Sequence, residues 1–172
     1  MTFSIYQASV PVYVRQLGAL SSILDKAAAY ASQRKIDPGV LIQARLYPDM
    51  LPLARQVQIA CGHAIRGSAR LSGAEPMSLE DKASSFDDLK ALIAKTLEFV
   101  RGVDAKKMDG MEDREITFPI GDNKMTLKGS EYLLHFSMPN FYFHVTTAYD
   151  ILRHNGLEIG KDDFMGQDSA AG

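Results

Sequence analysis

Histidines are the side chains of this sequence best suited to chemistry, and there are four of them: His63, His135, His144 and His154. His144 flanks the apolar stripe of the predicted last helix, and Asn140 stands one helical turn earlier. Residues four apart project from the same side of a helix, so these two side chains could converge on one point. His63 flanks the inner stripe of the second long helix in a similar way. The pattern predicts a constellation of His63, Asn140 and His144.

Such a constellation could hold a divalent metal ion, zinc or nickel, which is typically bound by three nitrogen or carboxylate ligands from facing helices. Asn140 is the weak member, because its amide oxygen is uncharged. A lone buried histidine is more often a hydrogen-bonded core residue than a ligand. We therefore expect no resident cofactor, with a zinc or nickel ion as the alternative. His154 lies in the last helical turn, where it would interact with the helix terminus, and the direction of His135 cannot be assigned.

Other reactive patterns are weaker. Cys61 is the only cysteine, so it cannot form an internal disulfide and is expected to be a buried apolar thiol. No Gly-rich phosphate loop, serine nucleophile elbow or His-Glu-x-x-His motif is present. The second helix carries three arginines that we expect on the surface, with a substrate carboxylate as the alternative partner for one of them: Arg55, Arg66 and Arg70.

Composition bounds the class of protein. The chain has 172 residues, with 19 basic and 21 acidic side chains and a formal net charge of -2. This balance argues against nucleic acid as a partner. No apolar run reaches the roughly 20 residues needed to span a bilayer, so we expect no membrane association and a cytoplasmic location. The length suits one domain, predicted over residues 1–165, followed by a flexible tail over residues 166–172.

Four long helices must position the histidines. Apolar residues at three- and four-residue steps predict helices over residues 9–32, 50–71, 78–103 and 140–155. We expect Pro11 in the first turn of the first helix, Asp49 as the N-cap of the second, a capping box over residues 78–81 at the third, and Gly156 as the cap that ends the fourth.

The spacing of the apolar residues changes from a helical to an alternating pattern before the last helix. Polar and apolar residues alternate over 115–120 and 124–128 on either side of a turn at 121–123, which predicts a β-hairpin packed on the bundle. We expect Pro139 to interrupt the helical region that begins at Gly129. Tyr142 and Phe143 point away from the apolar stripe and could cover the hairpin or a partner subunit.

Two stretches carry a family resemblance. Leu46-Tyr47-Pro48-Asp49-Met50 followed by Gln56-Val57-Gln58, together with the run over residues 140–156, resembles an uncharacterised bacterial family known as a domain of unknown function. That family is similar to the DinB/YfiT-like superfamily, and the resemblance spans residues 3–165. It implies a mostly α fold, a DinB-like four-helix bundle of up-down-down-up type with a small β-hairpin before the last helix, and a homodimer.

The resemblance also implies a site. Many DinB-like proteins carry a metal triad with one histidine on the second helix and a His-x-x-x-His pair on the last. His63 and His144 match two of these positions, and Asn140 occupies the third. We therefore weigh a non-catalytic bundle that binds a small molecule or nothing against a metal-dependent thiol transferase or isomerase. A third alternative places the function on the dimer surface and the hairpin. The broken triad favours the first.

Overall fold

The computed structural model describes residues 4–79 and 83–166. The tail predicted over residues 166–172 lies outside these residues, apart from Gly166. In chain order the elements are α1 (Ile5–Arg34), α2 (Pro38–Ile42), α3 (Leu53–Ser72), α4 (Phe86–Arg101), α5 (Ala105–Met108), β1 (Glu115–Ile120), β2 (Asn123–Lys128), α6 (Gly129–Glu131), a π-helical stretch (Tyr132–Ser137), α7 (Met138–His154) and α8 (Lys161–Met165). The predicted mostly helical fold with a hairpin before the last long helix is confirmed.

Contacts between helices fix the directions of α1 and α7. The Tyr13 and Ser137 hydroxyls are 2.9 Å apart near one end of α1. Near its other end, the Tyr30 hydroxyl donates to the carbonyl oxygen of Asn155 at 3.2 Å. Both contacts advance along the two helices in the same sense, so α1 and α7 run parallel.

The other two long helices run the opposite way. Gln56 near the start of α3 bonds to His144, whereas Arg70 near its end bonds to Tyr132, so α3 is antiparallel to α7. In α4, Lys90 pairs with Asp25 of α1. At the start of α1, the hydroxyl of its N-cap Ser4 donates to the carboxylate of Asp109, which follows the end of α4 along the chain, at 2.8 Å. These contacts make α4 antiparallel to α1, which confirms the up-down-down-up bundle.

Helix α1 begins four residues before the predicted start. Ser4 is its N-cap, and the Ser4 hydroxyl oxygen accepts from the backbone N–H of Gln7 at 3.0 Å. Pro11 therefore lies inside α1, and the expectation that it occupies the first turn is wrong. A capping serine ahead of the apolar periodicity was the signal for the earlier start.

Helix α4 begins later than predicted. Its N-cap is Ser85, which forms a capping box with Asp88: the Ser85 hydroxyl accepts from the Asp88 N–H, and the Asp88 carboxylate accepts from the Ser85 N–H. The predicted start at Ser78 is wrong, because Ser78 is not helical and this serine–aspartate pair directly precedes the first buried residue, Phe86. Part of the predicted capping box, residues 80–81, lies outside the described residues.

The N-cap of α3 also differs from the prediction. Pro52 holds that position without a side-chain cap, so Asp49 is not the cap. The predicted cap at Gly156 is confirmed, and a second glycine ends α3. Gly73 terminates α3 with a φ of 74°, and Gly156 follows α7 with a φ of 93°. Both are left-handed conformations that glycine adopts without steric cost.

The chain does not break at Pro139. It stays helical from Gly129 to His154, and a π-helical stretch over Tyr132–Ser137 precedes the proline. Proline has no N–H to donate, so a wider turn with a shifted hydrogen-bond register lets the helix pass this point. The predicted interruption is therefore a change of helix type.

The hairpin covers one end of the α3–α7 pair. Strands β1 and β2 pair antiparallel, with Thr117 opposite Thr126 and their hydroxyls 2.8 Å apart. Ile116 and Phe118 are buried against the helices, whereas the side chains of β2 are mostly exposed. The hairpin thus packs one face on the bundle, as predicted.

Gly67 sets how closely α3 approaches α1 and the π-helical stretch. A Cβ at this position would lie 2.6 Å from the Tyr13 hydroxyl oxygen and 2.7 Å from the Ser137 hydroxyl oxygen. Both hydroxyls are buried and hydrogen-bonded to each other. Only glycine fits here, so this residue fixes the position of α3 and of the histidine that lies one turn before it.

Among the described residues, no helix combines the length and the apolar character that a membrane span requires.

Candidate functional site

The centre of the candidate site is the contact between His144 of α7 and Gln56 of α3. His144 Nδ1 lies 2.7 Å from Gln56 Oε1. The amide nitrogen of Gln56 donates in turn to the backbone carbonyl of Leu51 at 3.0 Å. Gln56 is 1% exposed, so this chain of hydrogen bonds is part of the core. It ties the orientation of the His144 ring to the backbone that precedes α3.

His63 stands beside His144 across the α3–α7 contact. Their ring centroids are 5.8 Å apart and the ring planes are inclined by only 17°. Phe136 from the π-helical stretch lies on another side of His63, with centroids 6.2 Å apart. Two helices and the π-helical stretch therefore bring together the two histidines that the sequence singled out.

Both imidazoles are neutral at neutral pH. Burial, reinforced by the positive charge of Arg66 and by the neighbouring His144 and Arg70, lowers the pKa of His63 to about 3. Burial and then Arg66 also lower the pKa of His144. Protonation of either imidazole would add a positive charge to a partly apolar site between α3 and α7 that already contains Arg66 and Arg70. The pair thus presents nitrogen lone pairs and N–H groups without added charge.

Among the charged groups, Arg66 has the largest effect on the pKa values of both histidines. It lies one helical turn from His63 and packs over Gly62, where a Cβ would be 2.7 Å from Arg66 Nη1. Burial and the neighbouring Arg70 lower the pKa of its guanidinium. Across residues 4–79 and 83–166, no carboxylate forms a salt bridge with Arg66. A half-buried arginine to which the described residues offer no counter-ion favours an external anion.

A groove of about 420 Å³ opens next to Arg66. Its lining combines the Arg66 side chain and Gly62 with the residues that follow α3, and its apolar members include Ile65, Met77 and Leu79. Small-molecule sites commonly have volumes of roughly 300–1,000 Å³ and apolar linings with few polar groups. The size and lining of the groove suit one small molecule.

Arg70 is held by aromatic rings. Its guanidinium carbon lies 5.0 Å from the ring centroid of Phe118, and its Nη1 donates to the Tyr132 hydroxyl at 3.2 Å. Phe118 comes from the hairpin and Tyr132 from the π-helical stretch. The hairpin therefore closes one end of the cleft and fixes a second positive charge there.

Asn140, the third residue of the predicted triad, is engaged elsewhere. Its Nδ2 donates to the backbone carbonyl of Phe136 at 2.7 Å. Within the part of the chain that the structure describes, no group of three His, Cys, Asp or Glu side chains could hold a metal ion. Two imidazoles without a carboxylate or thiolate, beside two arginines, are a weaker ligand set than the three strong ligands that a zinc or nickel ion usually has in a protein.

The remaining predicted residues lie away from this cleft or are inert. His135 and His154 are exposed. Cys61 is fully buried, as predicted, and burial raises the pKa of its thiol to about 12. Such a thiol is not a nucleophile at neutral pH.

Gln56 is the site residue that sequence reasoning missed. It precedes His63 by seven residues, which is two helical turns, so both side chains lie on one face of α3. That spacing was available in the sequence. The contact with His144 was not, because it depends on how closely α7 packs on α3.

Comparisons with known proteins agree with this fold. The family described as a domain of unknown function (DUF1993) matches residues 5–165. A crystal structure of a DinB family member protein from Shewanella denitrificans is similar, with a TM-score of 0.88 and 38% sequence identity over 94% of this chain and 91% of the other. No curated protein matches at a significant level. The chain belongs to the DUF1993 family and has the DinB-like four-helix fold.

Proposed function

We propose that this protein binds a small anionic molecule at Arg66 of α3, in the groove next to the His63–His144 pair, and that it is a binding protein rather than an enzyme. The observation that carries the proposal is Arg66, a half-buried guanidinium for which the described residues supply no carboxylate. The adjacent imidazoles are neutral, so they add hydrogen-bonding groups to the site without competing with Arg66 for the charge of the anion.

The electrostatics support an anion over a cation. Arg66 and Arg70 lie on the same face of α3, and the charge of Arg70 lowers the pKa of the Arg66 guanidinium. An anion bound between them would relieve this repulsion. A carboxylate or phosphate group would also match the planar fork of a guanidinium, which donates two parallel hydrogen bonds. The groove of about 420 Å³ beside Arg66 has room for the rest of the molecule.

Calorimetric titration with succinate and with inorganic phosphate tests the proposal. We expect measurable binding of at least one of the two anions, weakened at least about tenfold in Arg66→Gln, since a charge-assisted hydrogen bond contributes roughly 1.5–3 kcal/mol. Arg101→Gln is the matched control, because Arg101 is an exposed arginine in the last turn of α4. Binding that is equal in the two variants, or binding of neither anion, would contradict the proposal.

A metal-dependent thiol transferase or isomerase that uses His63 and His144 is the second candidate. One observation favours it: His144 Nδ1 is tied to Gln56, and metal-ligating histidines are usually held in this way through their other ring nitrogen. Elemental analysis of untagged protein followed by zinc and nickel titration separates the two candidates. Stoichiometric metal that is lost in His63→Ala and in His144→Ala would show a metal site at this pair and favour the second candidate over the first.

A further inference from the structure

Gln56 determines which nitrogen of His144 carries the hydrogen. The amino group of the Gln56 side chain donates to the Leu51 carbonyl, which can only accept. The carbonyl oxygen of the same side chain, Oε1, therefore faces His144 Nδ1 at 2.7 Å. Since Oε1 has no hydrogen, Nδ1 must be the donor. His144 is held as the Nδ1–H tautomer.

This tautomer also determines the state of the other ring nitrogen of His144, Nε2. A neutral imidazole carries one hydrogen, so Nε2 of His144 bears a lone pair. No hydrogen bond to Nε2 exists within residues 4–79 and 83–166. His144 is half-buried, and its Nε2 is not among the fully buried side-chain atoms that lack a hydrogen-bond partner, so this nitrogen keeps contact with solvent. Among the described residues, the site thus contains an acceptor that receives no hydrogen bond, His144 Nε2, and a cation that has no carboxylate partner, Arg66.

We infer that the bound molecule is a small hydroxy acid, whose carboxylate binds Arg66 and whose hydroxyl donates to His144 Nε2, with Gln56 as the residue that positions this acceptor. The inference rests on the proposed function and names its ligand class. A plain carboxylic acid would satisfy Arg66 but would leave the His144 acceptor unpaired on burial. That penalty makes the site prefer the hydroxylated acid.

The tautomer can be measured directly in the unmodified protein. A long-range ¹H–¹⁵N correlation spectrum at about pH 7 distinguishes a protonated from an unprotonated ring nitrogen. We expect His144 to have a protonated Nδ1 and an unprotonated Nε2. A protonated Nε2 would overturn the inference without any ligand being present. It would leave the proposed anion binding untouched, since that depends on Arg66.

The ligand class is tested with lactate and propionate, which differ by one hydroxyl. We expect the wild-type protein to bind lactate about threefold to tenfold more tightly than propionate, the range that a net hydrogen bond of roughly 0.5–1.5 kcal/mol supports. Gln56→Met should release the tautomer and reduce the lactate-to-propionate ratio to near one. His154→Gln, which alters an exposed histidine, should keep the wild-type ratio.

Two outcomes separate this inference from the proposed function. Equal binding of the two acids, or binding of neither while phosphate still binds in an Arg66-dependent manner, overturns the hydroxy acid and leaves anion binding in place. If Gln56→Met does not fold, the wild-type tautomer and the wild-type lactate-to-propionate ratio still decide the inference.

Discussion

Gly67→Ala should destabilise the protein, although alanine is the better helix former. The added Cβ would meet the Tyr13 hydroxyl at 2.6 Å and the Ser137 hydroxyl at 2.7 Å, distances that real Cβ atoms essentially never show. To accommodate it, α3 must shift against α1 and the π-helical stretch, and the two hydroxyls must also separate and lose their 2.9 Å hydrogen bond inside the core.

The magnitude follows from opposing terms. Alanine gains about 0.5–1 kcal/mol of helix propensity over glycine. Overpacking costs roughly 1–3 kcal/mol, and leaving buried hydroxyls unpaired costs a further 1–3 kcal/mol or so. The net loss in free energy of unfolding is about 3 kcal/mol. For a domain of this size that corresponds to a fall in melting temperature of about 6–12 °C.

Gly18 provides the matched control. It also lies inside a long helix, α1, but a Cβ there would have no neighbour within 4 Å. Gly18→Ala should therefore stabilise the protein by about 0.5–1 kcal/mol. Urea denaturation followed by far-ultraviolet circular dichroism compares the two variants with wild type under identical conditions.

A double-mutant background isolates the cause. In Tyr13→Phe/Ser137→Ala protein both hydroxyl oxygens are absent, so Gly67→Ala should cost less than about 1 kcal/mol there. An undiminished cost in that background would refute the steric argument. So would a Gly67→Ala protein that is as stable as wild type.

Three further predictions concern titration, reactivity and assembly. The pKa of His63 is about 3 in the folded protein and about 6.5 in the unfolded chain. The free energy of unfolding should therefore decrease as the pH falls from about 6.5 towards 3, by at most about 1.4 kcal/mol per pH unit. The difference between the urea midpoints at about pH 7 and pH 5 should be smaller in His63→Gln than in wild type. Cys61 should not react with a thiol reagent at about pH 7 in the native protein and should react fully after unfolding in guanidinium chloride, because it is buried with a raised pKa. Light scattering should give twice the chain mass of 19.0 kDa, and Phe143→Ser should reduce it towards one chain if the exposed Tyr142 and Phe143 form the subunit contact; a mass of one chain in wild type would exclude the homodimer.

The sequence predicts the bundle well because its long helices each carry a clear apolar stripe. Errors concentrate where two local signals compete. Ser78 and Ser85 both look like N-caps, and only the reciprocal bonds between Ser85 and Asp88 identify the actual start of α4. Pro139 reads as a break in any pattern based on α-helical spacing, and the π-helical stretch before it has no comparable signature.

The sequence predicts which histidines form the candidate site, but it does not predict their protonation state or their hydrogen-bond partner. Helical spacing places His63 and His144 on facing flanks, and the structure brings their rings together. Their neutrality comes from burial and from Arg66, which are properties of the packed cleft. The same packing turns Gln56, a polar residue that sequence alone would leave on the surface, into the support of His144.

Charge decides between the two candidate uses of the histidine pair. A divalent cation at His63 and His144 would meet two neutral ligands and the positive field of Arg66 and Arg70, with no carboxylate from the described residues to offset it. At an effective dielectric constant near 20, two unit charges about 6 Å apart interact with roughly 3 kcal/mol, so this field weakens cation binding and strengthens anion binding by a comparable amount. The lone pair that Gln56 exposes on His144 is then more useful to a hydroxyl than to a metal. A variant that removes the field, Arg66→Gln, should accordingly move the two affinities in opposite directions, weakening succinate and strengthening zinc. A loss of both affinities would show that Arg66 acts by holding the shape of the cleft and not by its charge.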